Sequence, residues 1–285
     1  SAVVDHGDAV SILDCRQAVG DDDRGASCGE RNTALTDICV KALWHRTDVV
    51  RKHIEKKRVK ADRRKNVYFL YGETEIAYLK GKDKKLAEVI DRIGHIERVT
   101  DSDLFSSVVH HIVGQQISSK AQATIWKRLQ DTLGEINAET ISARECSELQ
   151  AFGMSFRKAE YIKEFADKVQ SGEFDLQNVE QMSDADAIEA LSSLRGIGVW
   201  TAEMILLFCL QRPDVFSFDD LAIQRGLRMV YHHRKIDRKL FEKYRRRFHP
   251  YCSVASLYLW AVAGGAIPDM KDYAPKKSGK DTKKK

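Results

Sequence analysis

Long apolar runs are missing from this chain. None approaches the roughly 18 residues that span a bilayer, and the first residues hold no uninterrupted apolar stretch of about 7–15 such as a secretory leader needs. A soluble, cytoplasmic protein with no membrane partner is expected. Cysteine is scattered. Cys15, Cys28, Cys39, Cys146, Cys209 and Cys252 make no C-x-x-C pair and no His/Cys ligand spacing, so the expectation is reduced thiols and no structural zinc. Strand-type alternation is scarce beyond residue 75, no internal repeat is visible, and low complexity is confined to a lysine-rich end.

What is present is globular in character. The 285 residues are 43% apolar and 31% charged, enough to bury one or two sizeable cores. The net charge of +5 lies in the last fifteen residues, where seven lysines face Asp272 and Asp281; the body is nearly neutral. Basic clusters at Arg51-Lys52, Lys56-Lys57-Arg58, Arg63-Arg64-Lys65 and Arg245-Arg246-Arg247 fit a polyanionic partner or an ordinary solvated surface. Texture divides the chain into three segments. Residues 1–66 show no coherent core pattern and read as a poorly packed or appended extension, 67–270 as the folded body, and 271–285 as a flexible lysine tail.

Within the body the period is helical. Phe105, Val108, Val109 and Ile112 form one apolar stripe, Ala121, Ile125 and Leu129 a second, and Ala159, Ile162, Phe165, Ala166 and Val169 a third. Capping signals separate them: Ser118-Ser119, Ser155, and Ser183 with Asp186. The body is therefore predicted to be all-α.

The stretch "LRGIGVWTAEM", residues 194–204, interrupts this pattern with two glycines between two helices. Glycine tolerates positive φ and lets another backbone come close. The exposed N–H groups at the following helix start favour an anion. The turn reads either as a phosphate cradle or as a tight helix–helix hairpin with no ligand. About twenty residues on, Asp219-Asp220 open another helix, with Arg225 and Arg228 in its next turns.

This combination resembles the helix-hairpin-helix DNA glycosylase superfamily, whose signature is a G-x-G hairpin followed by an aspartate at a helix start. Within it the chain is most similar to the alkylbase, or 3-methyladenine, branch. The resemblance runs from about Leu79 to Ile267 and includes "HHIVGQQISSKAQATIWKRL" and "FGMSFRKAEYIKEFA". It implies a two-lobed helical protein with a cleft between the lobes. The activity implied is flipping and hydrolytic excision of alkylated purines from double-stranded DNA by a monomer.

The family pattern D-x-x-I-x-R is matched by Asp220, Ile223 and Arg225. Asp220 is then the implied catalytic carboxylate, with Asp219 as its neighbour and helix cap; both acids as mere caps is the alternative. Bifunctional members carry a lysine nucleophile where this chain has Trp200. An indole forms no Schiff base, so cleavage should stop at an abasic site. Trp200 and Tyr251 are the implied base-pocket aromatics, unless they are core, while Trp260, at helical spacing with Leu257 and Ala261, reads as core. The DNA contacts implied are Gly196, Ile197 and Gly198 of the hairpin, Arg225, the loop residues Gln115 and Gln116 with Gln116 as wedge, and Lys120; Arg157 and Lys158 are further phosphate candidates. No cofactor is implied as required, and with only Cys252 downstream no iron–sulfur cluster is expected. By resemblance a sodium or potassium ion would sit on the main-chain carbonyls of Ser192, Leu194 and Ile197. Two other readings stay open from sequence: a glycosylase for deaminated or oxidised bases, and a hairpin DNA-binding protein without catalysis.

Overall fold

The computed structural model describes residues 68–101 and 103–275. The extension 1–66 and most of the lysine tail lie outside them. Among the described residues there are thirteen helices: α1 Glu73–Lys82, α2 Lys84–Ile93, α3 Leu104–Gly114, α4 Ser119–Leu133, α5 Ala138–Ser142, α6 Cys146–Ala151, α7 Phe156–Gln170, α8 Leu176–Gln181, α9 Asp184–Ser192, α10 Val199–Phe208, α11 Leu221–Tyr231, α12 Arg238–Phe248 and α13 Cys252–Ala263. Extended pairing among these residues is limited to an isolated bridge between Tyr68 and Val99. None of these helices is long and apolar enough to cross a membrane.

The caps explain the helix starts. Ser118 accepts from the Ala121 N–H, Ser155 from Lys158 and Ser183 from Asp186, each satisfying a donor that has no partner within the helix. At α11 the cap is Asp220 itself, not Asp219, which is exposed.

Packing sorts the helices into two groups. α3 to α10 pack among themselves, whereas α1 and α2 join α11, α12 and α13. The chain leaves the second group after α2 and returns to it only at α11. The stripe on α3 is buried at Phe105, Val108, Val109 and Ile112, and Phe105 stacks on Phe165 of α7 at 4.9 Å. Each such side chain contributes about 1.5–3 kcal/mol on burial, so these two helices anchor their lobe. In the other lobe Phe216 stacks on Phe241 of α12 at 4.5 Å.

Two long-range contacts set the surroundings of α11. α11 and α13 cross where a Cβ on Gly226 would stand 2.4 Å from the Leu259 carbonyl oxygen. Glycine is thus required for the approach that brings Trp260, the next residue on α13, toward the start of α11. Asp272 and Tyr273, which the sequence reading places in a flexible tail, lie against α11 and its C-cap. Asp272 accepts two hydrogen bonds of 2.7 Å from Arg228 and lies 3.8 Å from Arg225, and Tyr273 packs on His232.

Candidate active site and nucleic-acid interface

A cleft of about 950 Å³ opens between the two helix groups. One side comes from α3 and the loop after it, the other from Asp220 and α13. α10 forms the floor with Trp200, Met204 and Phe208, and residues 96–101 form the rim.

Asp220 is 7% exposed yet lines this cleft. Its Oδ1 accepts from the backbone N–H groups of Ala222 at 2.9 Å and Ile223 at 2.8 Å, and from the Trp260 indole Nε1 at 3.1 Å. Its Oδ2 accepts from the Trp200 indole at 3.1 Å. A carboxylate oxygen has about two lone-pair sites. Oδ1 is therefore fully used, and Oδ2 keeps one site for another partner. Four donors on one carboxyl, at a helix start, offset the cost of enclosing a charge.

Trp260 corrects the sequence reading: it is a cleft wall and a ligand of Asp220, not core. It stacks on Phe208 at 5.4 Å, and the Arg98 guanidinium sits 4.6 Å over Phe208. Tyr251, the aromatic chosen from sequence beside Trp200, does not line the cleft. It packs edge-on against Tyr78 at 5.1 Å, in the seam between α1 and the start of α13. The helical spacing that marked Trp260 as core is real; the face it occupies looks into a cleft that only the partner lobe creates.

The cleft wall carries Glu97, Asp101 and Asp220 against Arg98, an excess of negative charge. Burial, the leading cause, pushes the Glu203 carboxyl on α10 above the usual carboxylate range, and Asp219 and Asp220 push the same way.

The hairpin stands beside this cleft. Gly196 has φ +86 and a Cβ there would lie 2.3 Å from the Tyr161 ring; Gly198 has φ −95 and open space around it. The two glycines therefore differ in purpose. Gly196→Ala is expected to destabilise the protein by about 1–3 kcal/mol, read by urea unfolding. Gly198→Ala is expected to leave stability unchanged and to weaken DNA binding, because its methyl group would cover the open N–H groups at the start of α10. Equal stability losses in both variants would contradict this division.

Gln115 ties the loop to the hairpin, its Nε2 donating to the Gly196 carbonyl at 2.6 Å. Gln116 is exposed at the cleft with φ +56, an uncommon backbone for a non-glycine residue and one that occurs at functional loops. Lys120 and Arg157 are exposed at helix starts. Lys158 is otherwise engaged: its Nζ donates to the carbonyls of Val113 at 2.9 Å and Gln115 at 2.5 Å, capping α3 and holding the loop. Arg225 is exposed beside Asp272 and outside the cleft lining.

For the monovalent ion, the carbonyl of Leu194 accepts from the Ile197 N–H at 3.1 Å and keeps a second lone pair. The Ser192 hydroxyl is buried with no hydrogen-bond partner among the described residues. A set of neutral oxygens with an unsatisfied hydroxyl fits an ion of low charge.

Residues 109–250 match the family described as "HhH-GPD superfamily base excision DNA repair protein". The crystal structure of a DNA-3-methyladenine glycosidase from Bacillus halodurans is 33% identical, with a TM-score of 0.65 over 72% of this chain and 96% of that one. The DNA-3-methyladenine glycosylase 1 of Schizosaccharomyces pombe is 29% identical across 65% of this chain and 85% of its own length. A structure of the 3-methyladenine DNA glycosylase Mag1 from the same yeast, in complex with abasic DNA, is 28% identical with a TM-score of 0.60, covering 67% of this chain and 97% of that one. With the hairpin, the capped Asp220 and the cleft in place, the chain belongs to the HhH-GPD superfamily of base excision DNA repair proteins.

Proposed function

We propose that this protein is a monofunctional DNA glycosylase that removes alkylated purines of the 3-methyladenine type from double-stranded DNA, working as a monomer. The observation that carries the reading is the Asp220 carboxylate, held between two indole N–H groups in a negatively lined cleft wide enough for a flipped base.

The chemistry follows from those groups. As the bond between the base and C1′ breaks, its electron pair leaves with the base and positive charge grows on the sugar. The Asp220 carboxylate stabilises that charge, and the free site on Oδ2 orients the water that adds to C1′. The water's oxygen forms the new bond, its proton passes to solvent, and the sugar is left abasic. An alkylated purine already carries positive charge, so it departs without a strong general acid. The faces of Trp200 and Trp260 attract such a base by about 0.5–2 kcal/mol, and Glu97 and Asp101 add to that preference. No lysine stands at Trp200's position, so no Schiff base forms and the strand stays intact.

Access requires the base to leave the duplex stack. Gln116, in its left-handed conformation at the cleft mouth, fills the gap. Gly196, Ile197 and Gly198, with Lys120 and Arg225, hold the flanking phosphates. The carbonyls of Ser192, Leu194 and Ile197 would hold a monovalent cation, whose charge would draw a phosphate to the hairpin. Bond cleavage needs no cofactor in this scheme.

The test is base release from methylated duplex DNA with strand nicking scored separately. Methyladenine is expected in the supernatant, with nicks only after alkali. Nicking without alkali would refute the monofunctional mechanism, and tight binding without release would point to a noncatalytic binder or to another lesion.

A further inference from the structure

Both indole N–H groups in the cleft are spent on Asp220, so the tryptophan walls stack on a base without reading its edge. Another polar group must supply that reading. Glu97 and Arg98 are exposed on the rim, where water competes for them. On α3, by contrast, His111 is half-buried, lines the cleft and is fixed in orientation.

Its Nδ1 lies 2.8 Å from the Ser107 carbonyl oxygen, and the Ser107 hydroxyl in turn donates to Asp101 at 2.8 Å. A carbonyl oxygen only accepts, so Nδ1 must carry the hydrogen, and in the neutral ring Nε2 carries the lone pair. Ring geometry points Nε2 away from the Ser107 carbonyl, and no hydrogen-bond partner holds it among the described residues. His110 packs edge-on against His111 at 6.3 Å and lies 4.7 Å from Trp126. Burial, the leading cause, shifts the His110 imidazole below its ordinary titration range, and the Asp101 carboxylate opposes that shift.

We infer that His111 is a specificity residue, its Nε2 accepting a hydrogen bond from the exocyclic amino group of a flipped adenine-type base. A purine with an oxygen at that position would set lone pair against lone pair. A preorganised acceptor rejects such an analogue because one polar atom is left without a partner. The inference rests on the alkylpurine glycosylase reading above.

The experiment compares single-turnover release of 3-methyladenine and 7-methylguanine from methylated DNA by the wild type and by His111→Phe. Phenylalanine keeps a ring and removes the acceptor. The ratio of 3-methyladenine to 7-methylguanine release is expected to fall about tenfold, the loss for one hydrogen bond. A purely structural role would lower both rates together and leave the ratio alone. A parallel titration needs no variant to fold. Free 3-methyladenine is expected to quench the tryptophan fluorescence of the wild type at roughly tenfold lower concentration than 3-methylhypoxanthine, which carries an oxygen in place of the amino group. An unchanged ratio or equal quenching overturns the role of His111. Release of neither base by the wild type overturns the glycosylase reading and this inference with it.

Discussion

Replacing Asp220 by asparagine is expected to slow release of methylated base by on the order of 10²–10³-fold while DNA binding stays within a few-fold. The amide keeps an oxygen to cap α11 at Ala222 and Ile223, so the helix start survives. Two things are lost. The negative charge that stabilises the sugar disappears, and the amide NH₂, in the place of Oδ2, now faces the Trp200 indole N–H, donor against donor. That second effect should cost about 1–3 kcal/mol of stability, visible in a thermal melt. Single-turnover base release and a gel-shift titration on the same duplex separate chemistry from binding. A variant that keeps release within tenfold of the wild type would remove Asp220 from the mechanism.

Gly226→Ala is expected to be the most damaging change outside the cleft. Its methyl group meets the Leu259 backbone at 2.4 Å, and a backbone oxygen cannot swing aside as a side chain does. The helices α11 and α13 must separate, a cost of about 3 kcal/mol, or roughly 6–12 °C in Tm. Activity should fall as well, because the same crossing sets Trp260 against Asp220. Gly81→Ala serves as the control, since nothing lies within 4 Å of that position in α1, and it should stabilise by about 0.5–1 kcal/mol. Similar melting for the two variants would show that the α11–α13 crossing is not tight.

Much of this architecture is legible one residue at a time. Ser118, Ser155 and Ser183 cap helices because a hydroxyl three residues before an N–H acts locally. The α3 stripe is buried as its spacing implies, since a 3.6-residue period places those side chains on one face. Trp260 and Tyr251 show where such reasoning stops. Both are aromatic, both belong to "HPYCSVASLYLW", and nothing local distinguishes a wall of the cleft from a plug between α1 and α13. Lys158 and Arg225 make the same point for charge: Lys158 is bound to two carbonyls, and Arg225 lies beside Asp272, a residue assigned from sequence to a free tail.

The all-helical class, the hairpin, the helix that opens at Asp220 and the absence of a lysine at Trp200's position are already written in the order of the residues. These depend on backbone preference, periodicity and residue identity, all of which act over a few neighbouring residues. Tertiary structure alone decided that Trp260 joins Trp200 on the Asp220 carboxylate, that Gly196 is needed for Tyr161 and Gly226 for Leu259, and that His111 turns one nitrogen to its own helix. Each of these joins residues that local preference cannot pair, or depends on which helix face the other lobe covers, and only the packed chain supplies that.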